Sequence, residues 1–359
     1  MSARRARPRL SRLAEPPADP FDERRRPALR EHRQLMGARF LFETDEPRLM
    51  RLVRIAYAQL PAHRLASAAP RCLVRLVLAS KRARPALKAR REPPRVGPLA
   101  GGGILCGAME NANFVALTAP RRSALIVVSR DMLEFPYHLR YEMLEFAVYV
   151  LASRVQGLAP LHAACIGRGG QGILLLGPSG SGKSTLSLHS LLQGLDFLAE
   201  DSVLVRPDNL LATGVANFLH VRRDSLRFLD RPGRAALLRG HSIIRRRSGV
   251  EKFEIDLRRP CYRLAPAPLR IGAVVFVSPR SAGAGALLVP VPKGQLIRQL
   301  AASQRYAAHQ SGWSTFIKNV SHLPALELRR GRHPLQAVEA LEKLLPSGHA
   351  ARAPLRARP

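Results

Sequence analysis

The sequence predicts an α/β protein, α+β overall, in which a small N-terminal α+β module precedes a larger domain. The chain of 359 residues suffices for about two domains at roughly 150 residues each. Residues 173–176 form a short apolar run, followed by a glycine-rich turn and then by leucines at helical spacing, which is typical of a strand–loop–helix unit. A second apolar run, at residues 271–277, predicts a buried strand.

Composition indicates where the domains begin and end. Residues 1–36 are rich in arginine and proline and lack periodicity, so they are predicted to be a disordered basic tail. The N-terminal module is predicted over residues 37–135, with a basic, proline-rich linker at 81–98. The larger domain is predicted over residues 136–346, and a second disordered basic tail over 347–359.

Hydrophobic periodicity predicts the individual elements of both parts. In the N-terminal module, strands are predicted at residues 40–42, 72–78, 114–117 and 124–128, and a helix at residues 47–60. In the larger domain, strands are predicted at residues 161–166, 173–176, 197–199, 203–205, 218–221, 271–277 and 287–289, and helices at 136–155, 293–303, 335–345 and directly after the glycine-rich turn. The polar residues 239–259 are predicted to form a loop.

The formal net charge of +32 comes mainly from arginines, which concentrate in the two predicted tails and the linker. Two interpretations stay open: the tails bind nucleic acid or anionic lipid through counterion release, or they are only solvated. No aromatic platform accompanies the charge, which favours the second interpretation.

The four cysteines, at positions 72, 106, 165 and 261, lie far apart and include no C-x-x-C pair. They are predicted to be free thiols in a reducing compartment, rather than a disulfide framework or a zinc site. No apolar run reaches the roughly 18 residues of a membrane span, and the basic N-terminus has no apolar segment behind it. A cytoplasmic protein is therefore expected.

The run GPSGSGKS at residues 177–184 fits the phosphate-binding P-loop motif G-x-x-x-x-G-K-[ST]. Its glycines let backbone N–H groups approach an anion, and the helix that follows adds the positive end of its dipole. Lys183 is expected to reach the β- and γ-phosphates of a nucleotide, and the Ser184 hydroxyl to hold Mg²⁺. The predicted nucleotide-binding residues are Gly177, Ser179, Gly180, Ser181, Gly182, Lys183, Ser184 and Thr185.

An acidic pair, Glu200 and Asp201, follows the loop lysine by 17 and 18 residues, at the end of the next predicted strand. If that strand returns beside the strand that precedes the P-loop, it presents both carboxylates to the nucleotide. Phosphoryl transfer uses carboxylates there to hold Mg²⁺ and to accept the proton of an attacking hydroxyl.

Three further features each leave two interpretations open. His162, on the preceding predicted strand, is either a core histidine or a catalytic group. Ser179 and Ser181 either bind phosphate or fill the loop. Lys252 is either a second cation over the phosphates or, as its charged surroundings favour, a surface lysine.

Residues 161–164 (LHAA), the P-loop, Gly194 and residues 197–201 (FLAED) together resemble the catalytic domain of HPr kinase/phosphorylase and its relatives. The family has a histidine before the P-loop strand, a glycine that closes the helix, and an Ala-Asp-Asp sequence at these offsets. ATP-dependent phosphoenolpyruvate carboxykinase is a more distant likeness. The resemblance covers about residues 145–206.

The resemblance implies a P-loop kinase fold, with ATP and Mg²⁺ bound by the loop. It implies that Lys183 binds the β- and γ-phosphates, that Ser184 and Asp201 serve the metal, and that His162 lies beside the transferred phosphate. Glu200 and Asp201 fall on the family's two aspartates, which act as general base and metal-linked carboxylate. The family's E-x-R-G-x-G signature has no counterpart, so the resemblance does not extend to HPr as the acceptor or to the reverse reaction.

The sequence thus predicts an ATP-dependent kinase with catalytic residues His162, Lys183, Glu200 and Asp201. The acceptor is a protein or small-molecule hydroxyl, and assembly into a homo-oligomer is left open. Three alternatives remain: a nucleotide sensor that transfers poorly because Glu200 is one methylene longer than aspartate, a P-loop ATPase, and a nucleic-acid-binding protein.

Overall fold

The computed structural model describes residues 28–79, 93, 95–109 and 113–347, and in these ranges the chain forms a mixed α/β fold. The predicted N-terminal tail up to residue 27, residues 81–92 and 94 of the predicted linker, and the predicted C-terminal tail from residue 348 lie outside the described residues.

A first, seven-stranded sheet holds the N-terminal module, in the order β1-β2-β3-β7-β6-β5-β4. Its strands are β1 (Leu29–Leu35), β2 (Ala38–Thr44), β3 (Arg71–Leu78), β4 (Gly97–Gly101), β5 (Ile104–Met109), β6 (Asn113–Thr118) and β7 (Ser123–Val128), and helix α1 (Pro47–Tyr57) follows β2. β3 runs parallel to both β2 and β7, whereas the remaining neighbours are antiparallel.

Two stretches of the predicted basic segments are strands, which corrects the prediction for their described residues. β1 lies within the tail predicted over 1–36, and β4 begins within the linker predicted over 81–98. β1 forms a hairpin with β2 through Met36 and Gly37, both of which have positive φ. Both strands lie at edges of the sheet, where charged and small residues are common, so their composition conceals them.

The helical stretch after the first sheet consists of α2 (Pro136–His138), a π-helical segment (Leu139–Glu145) and α3 (Phe146–Gln156). The sequence assigns it to the larger domain, but its buried side chains, including Met143, Ala147 and Leu151, pack in the hydrophobic cluster of the first sheet. The stretch therefore lies between the first sheet and the elements of the P-loop region.

The second sheet has nine strands and contains the P-loop strand β10. They are β8 (Ala159–Leu161), β9 (Ala164–Arg168), β10 (Gln171–Leu176), β11 (Asp196–Ala199), β12 (Val203–Val205), β13 (Leu211–Gly214), β17 (Leu269–Ser281), β18 (Leu288–Pro290) and β19 (Ala325–Arg330). Ile173 and Leu175 belong to one hydrophobic cluster, while Leu174 and Leu176 belong to another, so β10 is buried on both faces.

The strand after the P-loop helix does not pair with the P-loop strand, contrary to the expectation from the sequence. β9 lies between them and pairs antiparallel with both β10 and β11. β11 therefore runs in the same direction as β10, and its carboxyl end still faces the loop.

A break in one ladder creates the acidic corner of the site. Cys165 pairs with Ala199 and Leu161 with Val203, and the three residues between these positions on one side do not pair with the three on the other. Residues 162–164 occupy one side of the break and residues 200–202 the other. His162 and the acidic pair are thus neighbours because the pairs directly on either side of the break share one register, although the β9/β11 ladder shifts by one residue between Phe197 and Ala199.

Residues 239–259, predicted as a loop, contain two strands of a third sheet, which is a second correction. This sheet has the order β14-β16-β15, with β14 (Phe218–Val221), β15 (Ser242–Arg245) and β16 (Glu251–Asp256). Alternate residues of β16 carry charges that form ion pairs in the fold, so the strand reads as polar in the sequence.

The remaining helices surround the second and third sheets. They are α4 (Lys183–Leu192), α5 (Arg231–Leu238), α6 (Lys293–Ser303), α7 (Arg305–Ala308), α8 (Trp313–Val320) and α9 (Pro334–Glu342). The predicted helices after the P-loop, at 293–303 and at 335–345 correspond to α4, α6 and α9. Gly194 lies just beyond α4 with φ 79°, as expected of a helix-terminating glycine.

Candidate functional site

The P-loop connects β10 to α4, as the motif requires. Gly177, Gly180 and Gly182 have φ values of 150°, 82° and 109°, which residues with a side chain rarely adopt. Ser179 is exposed at the tip of the loop, whereas Ser181 is buried. The loop thus has the conformation that its glycines predict.

Lys183 lies inside the loop rather than on its surface. Its Nζ donates hydrogen bonds to the backbone oxygens of Gly177 (2.6 Å) and Pro178 (3.3 Å), and the residue is 6% exposed. Burial lowers the pKa of the Lys183 ammonium, and the nearby Asp201 and Glu200 oppose that effect. The ammonium therefore lies among loop atoms and within the field of the acidic pair.

Glu200 connects the P-loop to the acidic corner. Ser184 Oγ donates a 2.5 Å hydrogen bond to Glu200 Oε1. Glu200 Oε2 accepts from the backbone N–H of His220 (2.8 Å) and lies 3.2 Å from its Nδ1. Burial opposes ionisation of Glu200, but the hydrogen bonds from His220 and Ser184 outweigh burial and hold its pKa below the usual range.

A chain of buried charges continues behind Glu200. His220 Nε2 lies 3.1 Å from Glu254 Oε1, and Arg140 bridges Glu254 to Glu145. Burial alone would lower the pKa of His220, but its bonds with Glu200 and Glu254 raise it above the ordinary value. His220 therefore lies between two carboxylates that favour its protonated form.

Sequence reasoning missed this chain of charges. It noted His220 as part of a strand, but nothing in the spacing links that residue to Glu254 or to Arg140. A signal was present in residues 218–221 (FLHV), because a histidine inside a fully buried strand needs polar partners.

Asp201 faces a different set of partners from Glu200. Its Oδ2 lies 3.3 Å from Arg246 Nη2, and Arg246 lies over the ring of Tyr141. Ser184 thus contacts Glu200 of the acidic pair, and the assignment of Ser184 and Asp201 to a metal stays a prediction.

His162 lies beside the acidic pair through the backbone. Its ring Nδ1 is 3.1 Å from the backbone oxygen of Asp201, and its own backbone N–H donates to Gln304 Oε1 at 2.7 Å. The residue is exposed, so the interpretation as a core histidine is wrong.

Two further residues near the loop have polar partners. Thr185 Oγ1 is 2.7 Å from Ser225 Oγ. Lys252 is half-buried, and its pKa is lowered by burial and by Arg246, while Glu200 and Asp201 oppose the shift. Lys252 therefore belongs to the electrostatic surroundings of the acidic pair and is not the surface lysine that the sequence favours.

The donors at this corner fit a hard cation. The Ser184 hydroxyl and the Glu200 carboxylate are oxygen ligands, which Mg²⁺ prefers, and they already lie in contact. Among the described residues, no group of three or more His, Cys, Asp or Glu could hold a metal. A Mg²⁺ ion here would therefore rely on phosphate oxygens and water for its other ligands, as is usual at nucleotide sites.

The comparisons with known proteins find similarity among solved structures, but none among family models or curated proteins. No protein-family model matches the sequence, and no curated protein is significantly similar to it. Among solved structures, the chain is similar to the HPr(Ser) kinase/phosphatase from Coxiella burnetii, with 11% identity and a TM-score of 0.26, over 51% of this chain and 88% of that chain. A TM-score this low supports no conclusion about function, so a functional proposal has to depend on the residues of the site.

Two other findings bear on the expectations from the sequence. No helix in the described ranges is long and apolar enough to cross a membrane. All four cysteines are free thiols: Cys72 and Cys165 are buried, Cys106 is partly buried, and Cys261 is exposed.

Proposed function

We propose that this chain is an ATP-dependent phosphotransferase that moves the γ-phosphoryl group of ATP to a hydroxyl group. The observation that carries the proposal is the 2.5 Å hydrogen bond between Ser184 of the P-loop and Glu200 of the acidic pair. This bond joins a phosphate-binding loop to the carboxylates that phosphoryl transfer requires.

The loop supplies the donor side of the site. Its backbone N–H groups and the start of α4 favour the phosphates of ATP. Lys183 would exchange its bonds to the oxygens of Gly177 and Pro178 for bonds to the β- and γ-phosphates, because an ammonium group binds phosphate as a point charge. Thr185 and the loop serines Ser179 and Ser181 remain the predicted secondary contacts.

Ser184 and Glu200 would hold Mg²⁺, with Asp201 as the carboxylate beside them. When bound, the ion neutralises the negative charge of the phosphate oxygens. The ionised state of Glu200 suits this role, since its pKa is lowered by the hydrogen bonds from His220 and Ser184.

Asp201 is the proposed general base, with Glu200 as the weaker candidate. Both carboxylate oxygens of Glu200 already accept hydrogen bonds, from Ser184 and from the backbone of His220, which disfavours Glu200 in this role. The hydroxyl proton passes to Asp201, the oxygen forms a bond to the γ-phosphorus, and the bond from phosphorus to the β–γ bridging oxygen breaks. ADP leaves with that electron pair.

His162, Arg246 and Lys252 complete the proposed site. Arg246 and Lys252 are cations beside the acidic pair, where they can stabilise the charge of the transferring phosphoryl group. His162 is proposed to lie beside that group, since its ring already lies against the Asp201 backbone. ATP as donor and four free thiols fit the cytoplasm as the site of action.

Transfer of label from γ-labelled ATP tests the proposal. The wild type is incubated with ATP, Mg²⁺ and cell-extract acceptors, beside Lys183→Ala and Glu200→Ala. Lys293→Ala, at an exposed lysine, is the matched control. We expect transfer by the wild type and the control, and a loss of at least about 100-fold in both site variants, because each removes charge stabilisation in the transition state.

Three outcomes would contradict the proposal. Equal nucleotide affinity in the wild type and Lys183→Ala, measured by calorimetry, would show that the loop does not bind phosphate. Tight binding without transfer would identify a sensor, whereas rapid release of free phosphate in the absence of acceptors would identify an ATPase.

A further inference from the structure

We propose that the acceptor is a small neutral or amine-bearing alcohol, bound in a cavity between the helical stretch 136–156 and the acidic pair. The proposal rests on the proposed function, since it names the substrate class of the same site. It depends on the position, the charge and the aromatic walls of the cavity, and on a buried hydroxyl group without a partner.

The position of the cavity suits an acceptor. It has a volume of about 230 Å³, and Glu200 and Asp201 form part of its wall. Glu200 also contacts Ser184 of the P-loop, so the acidic pair separates the loop from the cavity. A hydroxyl group at this wall would lie beside the proposed base Asp201, and in-line transfer requires its oxygen and the leaving oxygen to lie on opposite sides of the γ-phosphorus.

The size of the cavity favours a small molecule over a protein. Its volume lies just below the roughly 300–1,000 Å³ of sites for drug-sized ligands. Ser202 at the cavity is exposed, while Met36, Tyr57 and Phe218 are buried. The cavity therefore leads from solvent into the contact region between the first sheet and the P-loop region, which leaves little room for a protein loop.

The charge of the cavity disfavours an anionic acceptor. Glu145, Glu200 and Asp201 line it, and none of the described residues that line it is a lysine or an arginine. Arg140 and Arg246 pair with Glu145 and Asp201 from outside the lining, and His220 is held by Glu200 within it. These partners offset the negative charge without offering an unpaired cation, so a carboxylate or phosphate on the acceptor would lack a counter-charge.

The walls are aromatic, and one of them carries an unpaired donor. Tyr141, Phe146, Tyr149 and Phe218 present ring surfaces, which pack well against C–H groups or rings. Tyr57 also lines the cavity, is 1% exposed, and its hydroxyl has no hydrogen-bond partner among the described residues. A buried hydroxyl without a partner is costly, and a hydroxyl or amine of the acceptor would satisfy it.

The reaction in this cavity is the same phosphoryl transfer from ATP, with an alcohol as the acceptor. The alcohol oxygen loses its proton to Asp201 and bonds to the γ-phosphorus of ATP, while ADP leaves with the electron pair of the broken P–O bond. The products are a phosphate monoester and ADP.

Three acceptor pools test the substrate class. Dialysable metabolites are separated on an anion exchanger into a neutral and cationic pool and an anionic pool, and the protein fraction forms the third. Each is incubated with γ-labelled ATP and the full chain, beside Val215→Trp, which fills the cavity from its wall, and Ile104→Trp, a control at an exposed position of β5. We expect label in the neutral and cationic pool, lost in Val215→Trp and kept in Ile104→Trp.

Tyr57→Phe is a second test of the cavity, which stays informative if Val215→Trp fails to fold. Removal of an unpaired buried hydroxyl is expected to raise the melting temperature of the free protein slightly. The same change is expected to raise KM for the labelled alcohol about 3- to 10-fold, the loss of one neutral hydrogen bond, with nucleotide affinity unchanged. A tyrosine with only a packing role would leave KM unchanged.

Label in the anionic or the protein pool instead, or transfer that is insensitive to Val215→Trp and Tyr57→Phe, would overturn this proposal and leave phosphoryl transfer standing. The absence of label from all three pools would refute the proposed function, and this proposal with it.

Discussion

At the scale of single residues, Glu200 is the most connected group of the site. Its two carboxylate oxygens serve different partners, Ser184 on one side and His220 on the other. The sequence indicated that Glu200 and the P-loop lie near each other, because their separation along the chain is short and the motif is specific. It could not indicate Glu254 or Arg140, because these contacts join residues 34 and 114 positions apart.

The pH dependence of stability is the first consequence of this arrangement. The folded pKa of His220 is raised above its unfolded value of about 6.5, because its bonds with Glu200 and Glu254 outweigh burial. Its protonated form therefore stabilises the fold fully below about pH 6.5, and this contribution is lost as the pH rises through the folded pKa.

We expect His220→Asn to lower the free energy of unfolding most near about pH 6, with a smaller difference from wild type near about pH 9. Urea titrations across this range measure it. His309→Asn, at an exposed histidine, provides the matched control and is expected to show no such trend. If His220→Asn lowered the free energy of unfolding by the same amount at every pH, the result would contradict a charged His220.

At the scale of elements, the P-loop is the part that the sequence specifies most fully. Its strand, its glycines and its helix were all predictable, because each follows from local backbone chemistry. The third sheet was not predictable, since β16 is polar in sequence and its Glu254 is matched by a distant partner, Arg140. The order of β11, β9 and β10 was also inaccessible, because spacing along the chain does not determine which strands pair.

Two loop glycines should differ in their response to alanine. A Cβ on Gly177 would lie 2.8 Å from the backbone oxygen of Val277 in β17, whereas a Cβ on Gly180 meets nothing within 4 Å. Both have positive φ, so Gly180→Ala is expected to cost about 1–2 kcal/mol of unfolding free energy from backbone strain alone.

Gly177→Ala is expected to cost more than Gly180→Ala, because a strand backbone must also move, and to abolish ADP binding. Urea unfolding and calorimetric titration with ADP measure the two effects. Equal free energies of unfolding for the two variants would show that the close approach of Gly177 to β17 does not affect stability.

At the scale of the whole molecule, Arg140 joins the two parts of the chain. It lies on the π-helical segment, is 3% exposed, and bridges Glu145 to Glu254 on β16 of the third sheet. Its guanidinium also lies 4.2 Å from the centre of the Phe218 ring. The helical stretch, assigned by sequence to the larger domain, is therefore one of the elements that connect the first sheet to the site.

Arg140→Met is expected to lower the free energy of unfolding by about 3–5 kcal/mol, because it leaves buried carboxylates without their cation. The double variant Arg140→Met/Glu254→Gln should recover part of this loss, since it also removes one of those charges. Arg48→Met, at an exposed arginine paired with Glu46, is the control and should leave the unfolding midpoint nearly unchanged. If the losses of unfolding free energy from the two single changes simply added in the double variant, the result would contradict an interaction between Arg140 and Glu254.

The break between the β9/β11 ladder and the β8/β12 ladder makes the site depend on the number of residues in the break as well as on their identity. Three residues on each side keep Leu161 opposite Val203 and Cys165 opposite Ala199. Side chains alternate along a strand, so one residue added to either side would turn the flanking strand over and exchange its buried and outward faces. An insertion or deletion within residues 200–202 is therefore expected to disrupt the fold of this corner more than a substitution there, and homologous chains of any function should keep this segment at constant length.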